Sequence, residues 1–104
     1  MAKQYFYARL IPPRPTFASD LSADERALMQ QHAVYFRGLF EQGKVLIYGP
    51  VLDPMDNFGM AVFEVDDLAE AERCMAQDPT VLAGLNRFRI APIVVSGARG
   101  KAQG

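Results

Sequence analysis

The chain has 104 residues, half of them hydrophobic, with 11 basic and 12 acidic side chains and a formal net charge of −1. One domain with a modest core is expected at this length, and without a basic block to neutralise phosphates nucleic acid is not an expected partner. No apolar run approaches the roughly 20 residues that cross a bilayer, so no membrane is expected either.

Residues 3–11 (KQYFYARLI) are rich in aromatic and branched side chains and read as a strand. IPPRPTFASD follows, and its three prolines make it a loop. Ser22 and Glu25 have the spacing of a capping box, which starts a helix from Ala23 to Phe40, and Gly43 ends it. Residues 44–51 (KVLIYGPV) read as a second strand. LDPMDNFG is a run of turn formers joining it to an antiparallel third strand at 59–65 (GMAVFEV). Asp67 and Glu70 repeat the capping pattern before a second helix at about 68–77. Asp78-Pro79 stops that helix, and Asp78 is placed to cap a short turn running to Leu85. Residues 87–95 (RFRIAPIVV) read as the last strand, and the small and basic residues of 96–104 as a flexible tail after a domain at 1–95.

The order βαββαβ is that of a ferredoxin-like α+β domain, an antiparallel sheet with two helices on one face. Its last strand lies at an edge, where Pro92 costs little because its missing N–H faces outward. The strands VLIY, MAVF and IAPIVV are apolar on both faces, which implies a sheet covered on both sides. Two helices cover one. The sheet of a second copy is the simplest cover for the other, so a homodimer or a higher oligomer built from it is expected, a dimeric α+β barrel.

His32 is the only histidine. At about 100° per residue it falls near the centre of a stripe made by Leu28, Met29, Tyr35, Phe36, Leu39 and Phe40. An imidazole among these side chains is desolvated, so it either hydrogen-bonds a buried partner or borders a pocket. Asp78 reads first as a helix cap, a role compatible with orienting an imidazole. Gly49-Pro50 either lets a ligand approach the backbone or shapes a strand end. Tyr5, Tyr7, Tyr48 and Arg9 are suited to an anionic or aromatic substrate, and equally to packing a dimer face with polar tips at its rim. Asp53 reads as a turn residue, and Cys74 as a small core residue on the inner side of the second helix. A lone cysteine fits a reducing compartment such as the cytoplasm, and MAKQYFYARL lacks the pattern of a signal peptide. No Cys/His cluster has zinc spacing, and neither GxGxxG nor GxxxxGK[ST] occurs. No metal and no cofactor are therefore expected.

His32 in the first helix, the segment from Gly43 to Gly49-Pro50, the acidic Asp53 after it, and D-P-x-V-x-A-G-L from Asp78 to Leu85 occur together in this order. This ordered set resembles the YciI-like, or YCII-related, family over nearly the whole chain. The resemblance implies the ferredoxin-like fold, association through sheets, and an acid–base pair at His32 and Asp78. One branch of the family is linked to removing chloride from an aromatic ring, and its fold is similar to that of muconolactone isomerase. The chain departs from the commoner pattern at Pro12 to Pro15 and at MDNF in the hairpin. The function implied is a small cofactor-independent enzyme of the lyase or isomerase type, acting on a small organic ring or lactone by elimination or isomerisation. His32 and Asp78 would be catalytic, with Tyr48, Gly49, Pro50 and Arg9 binding substrate. The alternative is a non-catalytic small-molecule-binding or assembly module with the same fold.

Overall fold

Alternation in QYFYARLI puts Phe6, Ala8 and Leu10 on one face, and these are the buried residues of strand β1 (Gln4–Ile11). The computed structural model in which this is seen describes residues 2–100. Strands β2 (Val45–Val51), β3 (Phe58–Val65) and β4 (Arg87–Pro92) complete a sheet of order β2-β3-β1-β4, with every neighbouring pair antiparallel. Helices α1 (Ala23–Glu41), α2 (Leu68–Ala76) and α3 (Pro79–Leu82) complete the fold. This is the expected α+β, ferredoxin-like arrangement. The last strand is an edge, as its proline requires, and it stops at Pro92 rather than running to 95. Of the tail from 96 onward, residues 101–104 lie outside the described residues. Among the described residues no helix is long and apolar enough to cross a membrane.

The caps read from the sequence are in place. Ser22 Oγ accepts from the Glu25 amide at 3.1 Å while the Ser22 amide donates to Glu25 Oε1 at 2.9 Å. Asp67 Oδ1 accepts from the Glu70 amide at 2.9 Å. At the far end of α1, Gly43 takes φ 80, and the amides of Gly43 and Lys44 return to the carbonyls of Phe40 and Leu39, each at 3.0 Å. A left-handed residue at that point closes a Schellman turn and delivers the chain straight into β2.

The core forms between sheet and helices, with Phe63, Met75, Val45 and Val65 among its most completely buried side chains. Cys74 joins it from the inner side of α2. The stripe on α1 is less uniform than its spacing suggests. Phe36 and Leu39 are buried, but Phe40 is 45% exposed, because β2 begins directly after the Gly43 turn and covers only the inner edge of that last helical turn. Towards its N-terminus α1 overhangs a cavity instead of solid packing, which is where Met29 and His32 sit.

The proline-rich connection is ordered around a 3-10 turn at Phe17–Ser19, which the prolines conceal in the sequence. Arg14 ties it down. Its Nη1 and Nη2 donate to Glu25 Oε2 and Oε1, both at 2.8 Å, and its Nε donates to Asp20 Oδ1 at 2.9 Å. The hydrogen bonds from Arg14, with help from the Ser22 amide, hold the Glu25 carboxyl down at about 2. A depressed carboxyl stabilises the fold above its ordinary value of 4.5, and this contribution disappears as pH falls towards about 2. Glu25→Gln is therefore expected to melt below the wild type at pH 6. The two melting temperatures should converge as the pH drops through that window, and a gap that persists unchanged would show that the ion pair does not tie the connection down.

Candidate active site

Asp78 caps α3, and the sharp stop imposed by Pro79 points this short helix at α1. One carboxylate oxygen, Oδ1, accepts from the Thr80 amide at 2.8 Å and from Thr80 Oγ1 at 2.7 Å. The other, Oδ2, lies 2.5 Å from His32 Nδ1, across 46 residues of sequence. The Asp78 side chain is 0% exposed and that of His32 is 20% exposed. Burial, the largest single influence on Asp78, pushes its pKa up. The His32 contact and the two Thr80 hydrogen bonds together outweigh burial and hold it below the usual carboxylate range. An ionised carboxylate only accepts, so Nδ1 carries the proton and donates it to Oδ2. In the neutral ring the other nitrogen, Nε2, carries a lone pair.

The ring stands at the wall of a partly enclosed cavity of about 460 Å3. Pro12, Pro15 and Phe17 of the tied-down connection form one side, and Gly49, Pro50 and Gly59 of the sheet form another. Tyr48 also lines it, reached through a β-bulge. The register of β2 against β3 shifts between Val45 and Ile47, so Val45 and Tyr48 both fall on the helix side while Ile47 turns outward, 59% exposed. Strict alternation cannot place positions 45 and 48 on one face. Tyr48 packs 5.7 Å from Phe36 and 5.8 Å from Phe40, centroid to centroid, and Phe36 stands 4.9 Å from the His32 ring.

Five of the six residues expected at the site converge here: His32, Tyr48, Gly49 and Pro50 on the wall, and Asp78 behind the imidazole. Arg9 does not. The same alternation that buries Ala8 and Leu10 turns Arg9 to the opposite face of the sheet. There its Nη2 donates to Asp56 Oδ2 at 2.6 Å and its guanidinium covers the Phe58 ring at 3.9 Å. Asp53 is a turn residue, accepting from the Met55 amide at 2.9 Å. Tyr5 donates to Glu64 Oε2 at 2.6 Å on the face away from the helices. Two lining residues carry no local signal in the sequence. Met29 reads as ordinary helix stripe, and Asn86 is a polar residue at a strand start, where turn residues are common. No lysine, arginine, aspartate or glutamate lines the cavity among the described residues.

An antiparallel sheet in this order, with a hydrogen-bonded His–Asp pair at a cavity wall beneath its first helix, defines an α+β domain of the ferredoxin-like kind. The YCII-related domain profile matches residues 5–94, and the chain belongs to that family. No curated protein matches it in sequence. Among solved structures it is similar in fold to the 5-chloro-2-hydroxyhydroquinone dehydrochlorinase of Burkholderia phenoliruptrix AC1100, solved in complex with 2,5-dihydroxybenzoquinone. That match has a TM-score of 0.54 and 18% identity, over 83% of this chain and 90% of that one. An uncharacterised protein of Thermotoga maritima is similar at TM-score 0.51 and 10% identity, over 89% and 99% of the two chains. A cofactor-independent oxygenase of Streptomyces nogalater is similar at TM-score 0.50 and 14% identity, over 97% and 100%. At these identities the likeness is one of fold.

Proposed function

We propose that the chain is a small-molecule enzyme in which His32 moves a proton on a ring or lactone substrate and Asp78 orients and charge-stabilises the imidazole, giving elimination or isomerisation. The observation that carries this reading is the 2.5 Å contact between His32 Nδ1 and a fully buried carboxylate at the wall of an apolar cavity. Nε2 takes a proton from a carbon next to a carbonyl. As the imidazolium forms, Asp78 balances its charge, and the same nitrogen returns the proton at another carbon or assists the departure of a leaving group. A substrate that fills the cavity displaces water from its apolar lining, which strengthens both charge interactions. Two proteins of similar fold, a dehydrochlorinase and a cofactor-independent oxygenase, support the small-molecule-enzyme part of this reading, and the dehydrochlorinase supports elimination. Because the pair supplies only proton transfer, worth about 10²–10⁴-fold, the substrate must be activated by its own carbonyl or ring.

The experiment is solvent exchange in D2O with a β,γ-unsaturated five-membered lactone as the probe. Deuterium incorporated next to the carbonyl, followed by NMR, is expected with the wild type and not with His32→Gln. Tight binding without exchange would instead favour a non-catalytic binding module.

We also propose that two copies pair through the sheet faces that the helices leave open. Val62 stands at the centre of that face, opposite Tyr7 on β1 and Ile47 on β2. Apolar and aromatic residues at adjoining positions make a patch that a second copy would cover. Val62→Asp is expected to move the sedimenting species from twice the chain mass to the chain mass. A wild type that sediments as a monomer would remove the proposal.

A further inference from the structure

Asn86 is 3% exposed, and its Oδ1 has no hydrogen-bond partner among the described residues. Its Nδ2 has only a thioether to donate to, Met29 Sδ at 3.6 Å. Native folds seldom leave a buried amide this way, because the lost contacts with water are not replaced. Its position is closely held all the same. The chain reverses at Gly84 (φ 76), and the amides of Leu85 and Asn86 both return to the Thr80 carbonyl, at 2.9 and 3.1 Å. Thr80 is the residue that grips Asp78. Asn86 and the His–Asp pair are thus anchored on the same short turn. Met29 lies one helical turn before His32 on α1, so the carboxamide and the imidazole are neighbours on one cavity wall.

We propose that Asn86 is a substrate-binding residue. Its carboxamide holds the hydroxyl of an uncharged aromatic molecule of two or three rings, whose reacting carbon lies at His32. This rests on the reading of the cavity as the substrate site and adds to it the class of molecule and the residue that orients it. The hydroxyl displaces the flexible Met29 thioether. Rotation about the soft χ2 torsion of asparagine then turns Oδ1 into the space that Nδ2 now occupies. The hydroxyl then donates to Oδ1, the atom that has no partner among the described residues without it.

Size and charge point to the same class. At the ~30 Å3 that a water molecule occupies in the liquid, a cavity of about 460 Å3 holds on the order of fifteen non-hydrogen atoms. A single ring leaves about half of it empty, whereas two or three fused rings fill it. Phe17, Phe36 and Tyr48 supply aromatic walls. A carboxylate or phosphate would lose its water there and meet no lysine or arginine among the described residues, while the charge of a protonated His32 is already paired with Asp78.

The test is calorimetric titration of the full chain with 2-naphthol, 2-methoxynaphthalene and 2-naphthoate, using the wild type, Asn86→Leu and His32→Gln. The wild type is expected to bind 2-naphthol about tenfold more tightly than its methyl ether, the scale of one well-made hydrogen bond. Asn86→Leu should erase that ratio and His32→Gln should keep it. 2-Naphthoate should bind at least about tenfold more weakly than the naphthol, because its charge is buried unpaired. Asn86→Ser, which withdraws the polar group without filling the space, carries the same comparison if the leucine variant does not fold. Equal affinities for naphthol and ether in the wild type, a ratio that survives loss of the carboxamide, strong naphthoate binding, or no binding of any probe would each overturn the proposal. The titration involves no turnover. Its failure leaves proton transfer by His32 standing, whereas failure of deuterium exchange leaves the binding ratios intact.

Discussion

His32→Gln is expected to lower kcat by about 10²–10⁴-fold on any substrate the wild type turns over, the range for loss of one positioned acid–base group. The glutamine amide reaches towards Asp78 as the imidazole does and still has an N–H to donate, so the buried carboxylate keeps a partner. What the variant lacks is a second nitrogen with a lone pair to take a proton. The effect should therefore fall on kcat. KM should change little, because ground-state binding comes from the apolar walls around Phe17, Phe36 and Pro50. Steady-state kinetics together with a thermal melt decide the matter. A folded glutamine variant that keeps wild-type kcat would place the base elsewhere and leave His32 as a packing residue.

Asp78 should show the second large effect, and two substitutions divide it into separate parts. Asp78→Ala removes the cap of α3, the partner of the Thr80 hydroxyl and the partner of the imidazole in one step. Breaking a buried pair in this way costs about 3 kcal/mol, towards the low end because water reaches one-fifth of His32. A loss of that size lowers the melting temperature of a chain this long by roughly 10–20 °C. Asp78→Asn keeps the cap, since its oxygen still accepts from Thr80, and should cost much less stability. It nevertheless presents an N–H to His32 Nδ1. The ring proton then moves to Nε2 and the catalytic lone pair is lost, so activity should fall by about 10²–10⁴-fold in a protein that melts close to the wild type. Acid should act on the same contact. The native pKa of Asp78 lies below its ordinary value of 3.8, so its contribution is complete above that pH and is lost as the pH falls through the lower native value. The alanine variant should lack this part of the acid transition. An asparagine variant with full activity would show that the carboxylate is a cap and nothing more.

The fold was largely legible because its signals are local. Ser22 with Glu25, Asp67 with Glu70, the Gly43 stop and the Asp78-Pro79 break each act over a few residues, and each appears in the structure where the spacing puts it. Residue type and helical angle by themselves misplace two side chains, Arg9 and Phe40. Arg9 looked suited to a substrate, but the pleat that buries Ala8 and Leu10 carries it to the other side of the sheet. Phe40 belongs to the apolar stripe by angle yet stands partly in solvent. The 3-10 turn at Phe17 was hidden among prolines that argue only for a loop.

The amino-acid sequence by itself determined the order of the elements, the caps that begin and end them, and the place of the one histidine on the inner stripe of the first helix. These follow from backbone sterics and from hydrogen bonds made between neighbours in the chain. Tertiary structure decided everything that joins distant segments. It brought Asp78 onto a ring 46 residues earlier, used a bulge in β2 to turn Tyr48 towards the helices, and set Asn86 beside Met29 with an amide oxygen that has no partner among the described residues. None of these has a local signature, because each depends on how the helix layer and the sheet settle against one another, and the packing that settles them is a property of the whole core.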